Sequence, residues 1–152
     1  MRGRALGRES VRSIPFTTAR HKAGLLHFWR PFMDWTKPCA YDEAQKRSFH
    51  TTGKRRLRTL ADALGFAPGS FDIRCNMAGI AVSGEVTLHH EQLYVQISQP
   101  CMGNDNGILI RTCKGRKDYT GGGNHFAPLS SLDHLDPLAA VCRAVLQEGD
   151  RS

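Results

Sequence analysis

The sequence predicts an α+β fold: a long N-terminal helix, an antiparallel β-meander of about four strands, with a fifth short strand left open, and a C-terminal helix. Two observations carry this. Apolar residues recur every three to four positions between residues 42 and 64, and again between 136 and 147. Between 71 and 113 the period falls to two. The first spacing lines one face of a helix and the second one face of a strand. A chain of 152 residues suits one domain with a tail. The domain is expected over 41–149, behind a basic, flexible N-terminal arm over 1–40.

The arm spreads Arg2, Arg4, Arg8, Arg12, Arg20, Lys22 and Arg30 among Gly, Ser and Thr, and Glu9 is its only acid before Asp34. Three origins fit: an organellar transit peptide, a flexible anion-binding arm, or translation that truly begins at Met33. Trp29, Phe32 and Trp35 are expected to pack onto the domain, because large aromatics seek cover from water.

Over 42–64 Asp42 is the expected N-cap, with Gln45 completing a capping box. Phe49, Gly53, Leu57, Leu60, Ala61 and Leu64 form the apolar stripe, and Gly65 suits the first position past the helix. Gly53 costs roughly 1 kcal/mol relative to Ala. An unbroken helix is preferred, because a restart at Lys54 would set three cations against the helix dipole.

After Pro68-Gly69 come four strands: Phe71–Cys75, Ile80–Leu88, Leu93–Ser98 and Ile108–Cys113. His89 to Gln92 is read as an exposed hairpin turn. Alternation implies one buried face under the long helix and one wetter face carrying Ser83, Glu85, Thr87, Tyr94, Gln96 and Arg111. The last helix is expected over 136–147, capped by Asp136, with Leu138, Val141, Cys142 and Val145 facing inward.

The net charge of +7 is unevenly placed: residues 1–60 carry +10 and residues 61–152 carry −3. Such a field favours polyanions, although a solvated basic tail explains the charge equally well. The five cysteines are odd in number and lack paired spacing, which argues against a disulfide scaffold or a zinc knuckle. Reduced, mostly buried thiols in a cytoplasmic protein fit better. No apolar run approaches a membrane span. No metal site, no cofactor and no membrane partner is implied.

The segment Lys114–Phe126 is the most unusual. Its glycines, Gly121, Gly122 and Gly123, permit an anion nest, to which Arg116 and Lys117 add charge. It has no Walker spacing, and a solvated hairpin is the plainer reading. His125 is the leading acid/base candidate and Cys113 a candidate nucleophile beside it, though packing at the strand end explains Cys113 as well. His89 and His90, adjacent on a strand, face opposite ways and suit no shared metal. With Tyr94 nearly alone, the wetter sheet face makes a poor nucleic-acid platform.

The stretches Gly79–Leu88, Leu93–Ile97, Gly107–Cys113 and Asp118–Pro128 resemble small uncharacterised proteins carried by proteobacterial plasmids, prophages and integrative elements. The resemblance covers about residues 48–130 and implies an accessory role in a bacterial cytosol. The expected function is a non-catalytic module that contacts nucleic acid or a nucleoprotein. Its contacts would be Lys46, Arg47, Lys54, Arg55, Arg56 and Arg58 on the helix and Lys114, Arg116 and Lys117 on the loop. Two alternatives stay open: a small enzyme on a phosphorylated or nucleotide ligand at the glycine loop, and an inhibitor or adaptor that binds a protein partner.

Overall fold

Helix α1 (Glu43–Ala63) runs unbroken through Gly53, where only a residue without a side chain fits between the helix and the sheet. A Cβ at position 53 would lie 2.7 Å from Ile97 Cδ1 and 3.3 Å from Val86 Cγ2. Asp42 caps the helix by accepting from the Ala44 N–H at 2.9 Å. Its far end closes as a Schellman motif: Phe66 N–H donates to Ala61 O and Gly65 N–H to Asp62 O, both at 3.0 Å. The last turn has no cation of its own. Arg143 supplies one, donating to Ala63 O at 2.6 Å and complementing the dipole.

The computed structural model describes residues 33–37, 42–79, 81–100 and 103–150. Of the arm expected over 1–40, residues 1–32 and 38–40, with Trp29 and Phe32 among them, lie outside the described residues, as does Cys101. Trp35 sat within the arm boundary but is 1% exposed, in edge contact with Phe49 at 5.7 Å. The folded unit therefore includes residues before 41.

Five antiparallel strands follow in the order β1 (Phe71–Asn76), β2 (Glu85–His90), β3 (Leu93–Ser98), β4 (Ile108–Thr112) and β5 (His125–Ala127). The short fifth strand is thus present. β2 begins at Glu85 rather than Ile80. Ala81–Gly84 turns instead, with Gly84 N–H donating to Ala81 O at 2.8 Å and Gly84 at φ +70°. At the other end the strand runs through His89 and His90, so the hairpin turn is only Glu91-Gln92.

Register sorts the strands into two faces. Val86, Leu88, Val95, Ile97, Ile108, Ile110 and Ala127 form the inner face. It packs against Phe49, Leu57 and Leu60 of α1 and against helix α2 (Leu135–Gly149). Between β5 and α2 a 3-10 turn, Leu129–Asp133, adds Leu129 and Leu132 to this core. The α2 stripe differs by one residue from expectation: Ala139 is buried with Leu138, Cys142 and Val145, and Val141 is exposed. Asp136 is a first-turn residue, and the N-cap is His134, whose side chain makes no capping bond. Among the described residues no helix is long and apolar enough to cross a membrane.

Candidate nucleic-acid interface

Because α1 spends one face on the sheet, its remaining positions fall toward water every three to four residues. Arg47, Arg55 and Arg58 are exposed there, with Lys46 and Lys54 half-buried beside them. Among the described residues only Arg47 of these five has an ion-pair partner, Glu43 at 2.7 Å. Arg56 does not belong to this surface. It is half-buried on the α2 side and pairs with Asp133 at 3.6 Å.

The loop between β4 and β5 is not brought together with this stripe. It folds over the outer face of the sheet, opposite α1. Tyr119 lies edge-on to His89 at 5.1 Å and to Tyr94 at 6.2 Å. Arg74 donates to the Tyr119 hydroxyl and Arg111 to its carbonyl. Arg116 is tied to the start of the sheet, donating to Gly69 O at 2.9 Å and lying 3.5 Å from Asp72. Lys114 and Lys117 stay exposed.

The nest expected for an external anion is filled from within. The Asp118 carboxylate accepts from Lys114 N–H and Thr120 N–H at 2.9 Å each. These bonds hold its carboxyl below the usual range, with the Gly121 N–H adding to them. A Cβ at Gly121 would lie 2.5 Å from Asp118 Oδ2, so glycine there lets the carboxylate enter. Gly122 and Gly123 remain exposed.

Each of the two catalytic candidates is engaged by a partner of its own. Cys113 is buried, donates to His90 O at 3.1 Å, and burial raises its thiol above the ordinary value. His125 faces Glu148 at 3.7 Å. A cavity of about 150 Å³ beside the loop is lined by Cys113, Lys114, Gly121 and the end of α2, but not by His125. Ligand pockets usually hold roughly 300–1,000 Å³. Among the described residues no group of three or more His, Cys, Asp or Glu could hold a metal ion. The thiols of Cys75, Cys113 and Cys142 are free; Cys75, expected inside an apolar pattern, is exposed on the edge strand β1.

Comparison with family models, curated proteins and solved structures gave no match.

Three buried polar groups, His50, Thr52 and Gln99, were not expected, and three were misplaced: Ser83, expected on the wetter face, is 0% exposed, donating to Gly84 O and accepting from the Gln99 N–H at 2.8 Å each, and His89 and Tyr94 are buried too. His50 of α1 is buried and bonds Ser83 O through Nε2 at 2.7 Å. Gln99, also buried, donates to Lys37 O at 2.8 Å and fastens the Trp35 segment. His89, expected in an exposed turn, is 0% exposed between Tyr94 and Tyr119. Tyr94, expected on a wet face, is 5% exposed beneath Tyr119 and the Arg111 guanidinium, which lies 4.5 Å over its ring. Period-two alternation marks the face a side chain takes but not what a later loop lays over it.

These histidines give the fold a pH dependence. Desolvation lowers the pKa of His50, with Lys46 and Lys54 adding to it and Ser83 O opposing it. Burial first and Arg74 second lower His89, while the Gly115 and Asp118 carbonyls pull the other way without reaching normal hydrogen-bond geometry. Burial lowers His90 as well. A lowered folded pKa means that the unfolded chain binds more protons below the ordinary imidazole value of about 6.5. Their stabilising contribution is complete above that value and is lost as pH falls through the folded values. The melting temperature should be flat from pH 8 to pH 7 and fall below about pH 6.5, with a smaller fall in His89→Gln. A melting temperature that holds steady or rises from pH 7 to pH 5 would contradict this.

Proposed function

We propose that this protein is a non-catalytic module that binds nucleic acid, or the exposed phosphates of a nucleoprotein, through the basic face of α1. The observation that carries the reading is a run of five cations along one helix: by helical spacing Arg47, Lys54, Arg55 and Arg58 share the side away from the sheet and Lys46 begins the row of His50, Gly53 and Leu57, and all but Arg47 are without an ion-pair partner among the described residues. From Lys46 to Arg58 the stripe is about 18 Å long at 1.5 Å per residue. Cations on a rigid helix that are not neutralised within the fold suit a row of backbone phosphates. The +10 balance of residues 1–60 supports the same ligand by long-range attraction. Binding of this kind gives affinity with little sequence preference.

The test is a salt titration of duplex DNA binding. Each lysine or arginine withdrawn from a phosphate should reduce the slope of log K against log salt by about one. A Lys54→Ala, Arg55→Ala, Arg58→Ala variant should therefore lose about three from the slope at unchanged fold. An unchanged slope, or no binding by the parent at low salt, would defeat the proposal.

A further inference from the structure

We propose that the outer face of the sheet binds single-stranded nucleic acid by stacking bases on Phe126 and Tyr119. This goes beyond the α1 surface, which lies on the other side of the sheet, and shares with it only the ligand class. The large aromatic rings exposed among the described residues are Tyr119 at 51% and Phe126 at 54%, and both sit on this face. Phe126 pairs with Leu109, and Leu109 with Gln96, which places Phe126 outward on β5. Tyr119 stands over Tyr94 of β3. Two strand spacings separate β5 from β3, roughly 10 Å.

Tyr119 is held where it is. Its hydroxyl and carbonyl are bound by Arg74 and Arg111, and its underside rests on His89 and Tyr94, so its free side stays turned to solvent. Apolar rings that remain half exposed on one sheet face are suited to flat apolar ligands, and every nucleobase has such a face. Cations outnumber free acids on this face: Arg74, Arg111, Lys114, Arg116 and Lys117 stand against Glu85, an outward acid on β2 that acts on Tyr94 and has no ion-pair partner among the described residues. The acids nearest Tyr119 are engaged: Asp72 with Arg74 and Arg116, and Asp118 with the loop N–H groups. Lys114 and Lys117 on the same loop are left without an ion-pair partner among the described residues. A duplex hides its base faces in the stack, so this platform selects single strands.

The test uses the full chain and a labelled oligothymidylate of about 15 nucleotides, within the reach of one or two small stacking domains. Its Kd is compared with that of a duplex of the same length. Phe126→Ala should weaken oligothymidylate binding about tenfold and leave duplex binding and the salt slope unchanged. Phe126→Tyr should retain the parent affinity. Phe126 is exposed, so its loss leaves the core intact. Oligothymidylate affinity equal in Phe126→Ala and the parent, an equal loss on duplex, or no single-strand binding by the parent would overturn the proposal; the last would leave this face to a protein partner. The α1 variant separates the two surfaces. If it leaves the salt slope intact while Phe126→Ala still loses single strands, the α1 reading falls and this one stands.

Discussion

Trp35→Ala should lower the unfolding free energy by about 3–5 kcal/mol, in the range of other large aromatic truncations in cores. For a chain of this length that corresponds to a fall of roughly 10 °C in melting temperature. Among the described residues Trp35 is the one fully buried side chain that precedes α1. Its ring meets Phe49 at 76°, the edge-on arrangement that aromatic pairs prefer. Its backbone is fastened too: Asn104 Nδ2 donates to Trp35 O at 2.7 Å and Gln99 Nε2 to Lys37 O at 2.8 Å. The tryptophan therefore cannot leave without vacating a site that α1 and the β3–β4 loop shape together. Urea unfolding monitored by far-UV circular dichroism measures the effect. A loss below about 1 kcal/mol would show that the segment is only laid on the surface.

The architecture was legible because its elements are long and periodic. Phe49, Leu57 and Leu60 recur at helical spacing, and Val86, Leu88, Val95 and Ile97 alternate, so burial and period agree. The errors fall where side chains from distant segments decide. Val82 and Gly84 continue the alternation of β2, yet Gly84 has positive φ and turns the chain. Val141 and Ala139 both fit an α2 stripe, and packing against the core buries Ala139 and leaves Val141 exposed. The 3-10 turn at Leu129–Asp133 is too short to leave a period.

The candidate sites were legible as residues but not as surfaces. Of the α1 cations named from the sequence, Arg47, Arg55 and Arg58 are exposed and Lys46 and Lys54 half-buried beside them, while Arg56 is drawn to Asp133, 77 positions away in the chain. Arg116 and the glycine loop looked like an anion clamp because spacing does not show that Asp118, from the same loop, fills the nest. The outer sheet face looked poor in aromatics because Tyr119 and Phe126 come from a loop and from a three-residue strand. Only the return of that loop across β3 brings them to one side.

Gly84→Ala should cost about 3 kcal/mol or more, a large effect for the exchange of a single hydrogen for a methyl. Two effects add there. The residue has φ +70°, a conformation that carries roughly 1–2 kcal/mol of strain for a side chain. The new Cβ would also stand 2.3 Å from Asn76 O and 3.0 Å from His50 Nε2. The first contact is backbone at the end of the β1–β2 ladder, where Asn76 pairs with Glu85, and it can yield only by opening that end. The second would push on the ring that bonds Ser83 O, the link that fastens this turn to α1. Overpacking of this kind adds about 1–3 kcal/mol. Gly65→Ala isolates the strain: its φ of +76° is nearly the same, and nothing lies within 4 Å of the added carbon. It should lose only about 1–2 kcal/mol. Paired urea titrations of the two variants measure the difference. Equal losses would mean that the Ala81–Gly84 turn relaxes freely, and that the His50–Ser83 bond does not hold it to the helix.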